Sequence, residues 1–155
     1  MAVNFYYVSL LVATSTYALF WGAAPERIGV AIIAANAVLT FVAVSVSVVG
    51  YRDVEVEIFI LDVLAFLAFA LLAVRANRFW PIWVSGFLGL GVLGHLARMA
   101  GPDVIPWAYA VVLTIWSYPI LAIIAIGTFN HHRRLKRSGT DQAWTRSSDP
   151  SPPAG

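Results

Sequence analysis

The segment IFILDVLAFLAFALLAV (residues 58–74) decides the fold, because Asp62 is the only polar residue in an otherwise apolar run. As an α-helix, a segment of this length rises about 26 Å, which approaches the ~30 Å thickness of the hydrocarbon core of a bilayer. Backbone polar groups inside lipid must be satisfied within their own segment, and a helix achieves this. We therefore predict that residues 58–74 form a membrane-spanning helix.

Four further apolar segments lie on either side of this one when the chain is scanned with a window of about 20 residues. The five predicted spans run from Phe5 to Gly22, Ile28 to Gly50, Ile58 to Val74, Phe79 to Ala97 and Trp107 to Phe129. Short polar or proline-containing stretches separate them, as expected at helix ends. The sequence thus predicts an all-α fold, a polytopic membrane helical bundle of five transmembrane helices within residues 1–130.

The composition agrees with a membrane protein and excludes several other classes. Hydrophobic residues make up 60% of the chain, charged residues 12%, and the mean hydropathy is +0.79. A soluble domain carries about a quarter charged residues, which this chain lacks. The absence of cysteine excludes disulfides and thiolate chemistry. The net charge of +2 is small, so no nucleic-acid partner is predicted.

Basic residues predict the orientation of the bundle. The leading segment MAVNFYYV has no Lys or Arg, which favours a retained first helix over a cleaved signal peptide. Short cytoplasmic loops carry the excess of Lys and Arg. A cytoplasmic C-terminus leaves only Arg52 and Arg98 outside and places these residues inside: Arg27, Arg75, Arg78, Arg133, Arg134, Lys136 and Arg137. We therefore predict an outside N-terminus, a cytoplasmic C-terminus and a multi-pass location in a bacterial inner membrane.

Residues 131–155 form a separate region by composition. They begin with the basic juxtamembrane stretch HHRRLKR (131–137), and the remaining polar residues are predicted to be a disordered cytoplasmic tail. Contact with anionic lipid head groups, at ~1 kcal/mol per basic residue, is one interpretation of the stretch. A topology anchor is the simpler one, and we favour it. The candidates for lipid contact are Arg133, Arg134, Lys136 and Arg137.

Polar residues near the predicted outer ends of spans three and four form a candidate site. Asp62 and His95 lie at similar depth, Arg98 follows one turn later, and antiparallel neighbours joined by a short loop pack together. Charged residues in a span seldom face lipid, so we expect Asp62 to pair with His95 or Arg98. Glu55 is predicted at the mouth of this cluster, and Asn36 begins a polar line on span two. The cluster is either a ligand or proton site or, as we favour, an ion pair that fixes helix register.

No catalytic residues, metal or cofactor are predicted. No nucleophile motif or phosphate-binding loop occurs, and a metal site would have to use His95, Asp62 and Glu55 alone. The function favoured by the sequence is that of an accessory or interaction subunit without catalytic activity. Its partners would be the lipid bilayer and either a second membrane protein or copies of itself. A small carrier or lipid- or ligand-binding protein using the outer pocket is the alternative, and a membrane-embedded enzyme at the same site is a further one.

Four stretches also carry a resemblance. PERIGVAI, RFWPIW, GHLARM and WSYPI together resemble a group of small bacterial multi-pass membrane proteins. The resemblance covers most of the hydrophobic region but not the tail. It implies a fold and a membrane location, and it carries no activity to any residue of this chain.

Overall fold

The chain folds into five α-helices. The computed structural model describes the backbone of residues 2–46, 51–101 and 106–144, and the side chains of residues 5–45, 56–101 and 115–144. The helices are α1 (Ala2–Trp21), α2 (Ala24–Val46), α3 (Tyr51–Arg75), α4 (Trp80–Ala100) and α5 (Pro106–Ser138). The all-helical fold predicted from the sequence is confirmed.

Three of these helices are long and apolar enough to cross a membrane. Within the described residues, the qualifying segments are Ala24–Ser45, Val56–Arg75 and Trp80–Ala100. The apolar helix Phe5–Trp21 is shorter. With 33 residues, α5 is about 50 Å long, so it is longer than the thickness of a hydrocarbon core.

The helices form a closed ring in which each one packs against its neighbours in the chain and α5 returns to contact α1. Additional contacts join α2 to α5. The apolar core lies inside the ring, with Phe69 of α3 and both Leu121 and Ile124 of α5 fully buried. The outer faces carry large exposed apolar side chains such as Phe41 and Val74, as expected where lipid covers the protein.

Trp80, the first residue of α4, occupies the space that two glycines leave open. A Cβ atom at Gly29 of α2 would lie 2.6 Å from Trp80 Cη2, and one at Gly127 of α5 would lie 2.7 Å from Trp80 Cδ1. The indole therefore fits between α2 and α5 only because both positions lack a side chain. This packing joins three helices of the ring.

Ordered structure extends beyond the predicted boundary at residue 130 into the first part of the predicted tail. Helix α5 continues to Ser138, and residues 139–144 return to the loop between α3 and α4. There the Asn77 amide donates to the Ala143 carbonyl at 3.0 Å, and Ala76 forms an isolated antiparallel bridge with Trp144. A short segment with few apolar residues can be ordered when other groups satisfy its polar atoms. Residues 145–155 of the predicted tail lie outside the described residues.

Candidate functional site

Two clusters of polar side chains connect the helices, and the first lies inside the ring. Asn36 of α2 donates from Nδ2 to Asp62 Oδ1 at 3.1 Å. His95 of α4 contacts the other carboxylate oxygen, with 3.1 Å between Nε2 and Oδ2. If Asp62 is ionised it only accepts hydrogen bonds, and this contact then requires a proton on His95 Nε2. We call these three residues the Asp62 cluster; it links α2, α3 and α4.

A small cavity adjoins the Asp62 cluster. Its volume is about 70 Å³, enough for a few water molecules, and the carboxylate of Asp62 reaches it with 20% of the side chain exposed. The lining includes Tyr7 of α1 and Ser117 of α5, so all five helices surround the space. A carboxylate paired with an imidazole beside such a cavity can exchange a proton with a small polar molecule.

The structure places the residues predicted for this site as follows. Asp62, His95 and Asn36 come together. Arg98 is half-buried on α4, one turn after His95. The side chain of Glu55 lies outside the described residues. Within the part of the chain whose side chains are described, no group of three His, Cys, Asp or Glu residues is placed to hold a metal ion.

Replacing Asp62 tests how much the Asp62 cluster stabilises the fold. In Asp62→Asn, the amide oxygen can still accept from Asn36, but the amide nitrogen then faces His95 Nε2, so that contact persists only if His95 accepts and no longer involves a charged group. We expect the free energy of unfolding to fall by about 1–2 kcal/mol, within the range for polar contacts between membrane helices. Thermal unfolding in detergent measures this, with Ser45→Ala as the control because Ser45 is exposed and donates only within its own helix. Equal melting temperatures of the two variants would contradict the prediction.

The second cluster lies at the end of the ring where α5 terminates, which we call the tail end. Glu26 of α2 is completely buried there. Its Oε1 atom accepts from Arg78 Nε at 3.3 Å and from Trp80 Nε1 at 3.0 Å. Its Oε2 atom accepts from the Ala23 amide at 3.1 Å, which caps the start of α2. The Glu26 carboxylate is thus satisfied by three donors from two parts of the chain.

Arg78 connects Glu26 to the tail. Its guanidinium donates two hydrogen bonds to the Asp141 carboxylate, from Nη2 to Oδ2 at 2.8 Å and from Nη1 to Oδ1 at 3.2 Å. Nη1 also donates to the Gln142 carbonyl at 2.7 Å. Two parallel bonds of this kind are strong and fix the orientation of both groups. His131 Nδ1 lies 2.6 Å from Asp141 Oδ2, and Arg134 Nε donates to Oδ1 at 3.1 Å. We call Glu26, Arg78, His131, Arg134 and Asp141 the tail-end cluster.

Sequence reasoning missed this cluster, although its members were visible. The positive-inside rule accounted for Arg78. Glu26 lies in the first turn of α2, where the charge at a helix N-terminus favours a carboxylate even without a partner. The available signal was the local pattern around residue 26, where Pro25 and Glu26 stand as the second and third residues of a helix. A glutamate at that position reaches back to cap the helix.

The pKa of Asp141 predicts how docking of residues 139–144 responds to acid. Burial raises the pKa of this carboxyl, but hydrogen bonds from His131 and Arg134 and the charge of Arg78 outweigh burial and hold it below its ordinary value of 3.8. A lowered pKa in the folded state contributes stability above the ordinary value and loses it as the pH falls through the folded value. We expect the tail to stay docked near neutral pH and to detach only below about pH 4.

Hydrogen exchange at the Asn77 amide measures docking, because this amide donates to Ala143. The variant Asp141→Asn mimics the protonated carboxyl, and its protection factor at neutral pH should be at least about tenfold lower, since hydrogen bonds to charged groups contribute about 1.5–3 kcal/mol. Its protection should no longer depend on acid in this range. Unchanged protection in Asp141→Asn would show that Asp141 does not hold the tail.

The four residues predicted to contact lipid head groups all lie exposed on the last turns of α5: Arg133, Arg134, Lys136 and Arg137. Arg134 alone of these four belongs to the tail-end cluster. Contact of the four with head groups stays a prediction.

Comparisons of the chain with models of protein families, with curated proteins and with solved structures give no match. The functional proposals therefore depend on the geometry of the two clusters and on the surface of the bundle.

Proposed function

We propose that the protein spans a bacterial inner membrane five times, with its N-terminus outside and its C-terminus in the cytoplasm. Three of its helices have the length and composition of membrane spans, and the ring continues through α1 and α5. The basic residues of α5 gather at the tail end, which supports a cytoplasmic location for that end. Cysteines introduced singly at Ala2 and Ser138 would test this orientation, because an impermeant thiol reagent applied to whole cells should label only the first.

We further propose that the protein is an accessory or interaction subunit without catalytic activity. The observation that carries this proposal is that the polar side chains inside the ring are bonded to one another across helices. Among the described side chains, Ser15 Oγ is the single buried polar atom without a hydrogen-bond partner. Polar groups that satisfy each other fix helix positions. The exposed apolar faces then offer the main surface for association.

Native mass spectrometry after extraction in a gentle detergent tests this proposal. An accessory subunit should carry a second membrane polypeptide, or a second copy, in a fixed ratio. The mass of that species should return to the single chain when the detergent is made harsher. A chain that extracts alone and monodisperse under the gentlest conditions would contradict the proposal.

The second candidate function is binding of a proton or a small polar ligand beside Asp62. The cavity of about 70 Å³ and the partial exposure of the Asp62 carboxylate favour it. In this case Asp62→Asn should abolish a ligand-dependent rise in melting temperature while the folded protein persists. A purely structural cluster gives the loss of stability predicted above with no ligand response in either variant.

A further inference from the structure

A groove at the tail end runs between the first turns of α4 and the second half of α5. Its volume is about 310 Å³, at the lower limit of ordinary ligand pockets. Polar and apolar side chains line different ends of it. The residues that matter here are Asn130 and Arg134 at the polar end, and Phe79, Trp83, Ile123 and Ile126 along the apolar part.

The polar end offers a cation to a ligand. Arg78 also lines the groove, but its side chain is 3% exposed and is engaged by Glu26 and Asp141. Arg134, by contrast, is 47% exposed, and within the described part of the chain it bonds Asp141 through Nε, which leaves both terminal nitrogens of its guanidinium for another acceptor. The exposed amide of Asn130 lies one turn away on the same helix. These two groups suit a phosphate, which accepts several hydrogen bonds and carries negative charge.

The apolar part suits a hydrocarbon chain. Ile123 and Arg134 are separated by about 16 Å along α5, since each residue rises 1.5 Å. The groove is therefore directed along the helix axis, as an acyl chain is directed in a bilayer. Trp83 and Phe79 are 58% and 71% exposed, and such aromatic residues prefer the level of the membrane interface.

We propose that this groove binds one anionic phospholipid, with its phosphate at Arg134 and Asn130 and one acyl chain along Ile123 and Ile126. The proposal depends on the cytoplasmic location of the tail end proposed above, because anionic lipids give that leaflet its negative surface potential. The positive charge around the groove favours an anionic lipid over a neutral one. The charges of Glu26 and Asp141 equal those of Arg78 and Arg134, so Arg133, Lys136 and Arg137 give this end a net positive charge that attracts an anion. Arg134 contributes the N–H donors of its two terminal nitrogens to the phosphate.

Fluorescence quenching in vesicles tests the proposal. The full chain is reconstituted in phosphatidylcholine containing a small fraction of phosphatidylglycerol, with bromine on the acyl chains of one lipid or the other. Trp83 lies in the groove and reports the bound chain, and Trp83→Phe supplies the signal of the other tryptophans. Brominated phosphatidylglycerol should quench Trp83 several-fold more, per mole of lipid, than brominated phosphatidylcholine.

Two charge variants separate the groove from the basic surface of α5. Arg134→Gln should lower the preference for phosphatidylglycerol by more than about tenfold, because it removes charge-assisted hydrogen bonds to the phosphate as well as one positive charge. Arg137→Gln removes only a charge outside the groove and should lower the preference by no more than about fivefold, the factor for one basic residue at an anionic surface. Asp141→Asn should keep or raise the preference, because it detaches the tail but leaves Arg134 in place.

Other results would overturn the proposal. Equal losses in Arg134→Gln and Arg137→Gln would mean that the whole basic surface attracts lipid and that the groove does not select it. Equal quenching by the two brominated lipids in the unaltered protein would mean that no anionic lipid is bound. These fluorescence measurements need no partner protein. A failure of the lipid proposal is therefore distinguishable from a failure of the proposed accessory function, which native mass spectrometry tests.

Discussion

Arg78→Met should destabilise the protein by about 3–5 kcal/mol, the cost typical of removing one partner from a buried ion pair. The substitution keeps an unbranched side chain but leaves the carboxylate of Glu26, which is completely buried, without its cation. It also removes both bonds from Arg78 to Asp141, so residues 139–144 should detach from the loop between α3 and α4 at the same time. Denaturant titration in mixed micelles measures the first effect, and hydrogen exchange at Asn77 measures the second.

Arg27→Met is the matched control, because Arg27 is exposed on α2 directly after Glu26. Substitutions of this kind usually change stability by no more than about 0.5 kcal/mol. Adding Glu26→Gln to Arg78→Met should recover part of the loss, since glutamine still accepts from Trp80 but carries no charge. A loss in Arg78→Met no larger than in Arg27→Met would show that the tail-end cluster does not stabilise the bundle.

Trp80→Ala should also be strongly destabilising, by about 3–5 kcal/mol. The indole fills the space between α2 and α5, so its removal leaves a cavity at the junction of three helices. It also removes a hydrogen-bond donor from Glu26. Trp83→Ala is the control, because Trp83 lies one turn later on α4 with its side chain exposed, and we expect a loss below about 1 kcal/mol.

The effect of Gly127→Ala on stability should change sign when Trp80 is replaced by alanine. Such a change would identify the packing of the indole as the cause of the effect. In the unaltered protein, Gly127→Ala places a methyl group 2.7 Å from the indole, and we expect a loss of about 1–3 kcal/mol from overpacking. In the Trp80→Ala background, the same methyl group enters the cavity and should be neutral or stabilising. Thermal unfolding of the four proteins gives the coupling energy. Additive effects would show that the two residues do not compete for this space.

The proximity of Asp62 and His95 could be predicted because local properties determine it. Each residue has a depth set by its distance from the end of an apolar segment, and a short loop forces the two helices to be antiparallel neighbours. The hydrogen bond from Asn36 to Asp62 was harder to predict from the sequence, because it depends on which face of α2 turns toward α3. Amino-acid periodicity showed a polar line on α2 but not the carboxylate that this line meets.

The tail-end cluster could not be predicted in the same way, because it joins loops and a tail that are distant in sequence. Arg78 and Asp141 are 63 residues apart, and their contact requires α5 to close the ring. Residues 139–144 have few apolar side chains, so composition alone predicted disorder. Their order comes from the partners that the loop between α3 and α4 supplies.

The separation of Arg78 and Asp141 along the chain has a consequence for biosynthesis. At 5–20 residues per second, the ribosome makes Asp141 about 3 to 13 s after Arg78. During that interval Glu26 already exists and can pair with Arg78, but the second carboxylate and the helix that closes the ring do not. The nascent chain therefore passes through a stage with four complete helices, an open ring and an arginine that has only one of its two carboxylate partners. Translation of the last turns of α5 and the residues after them ends that stage.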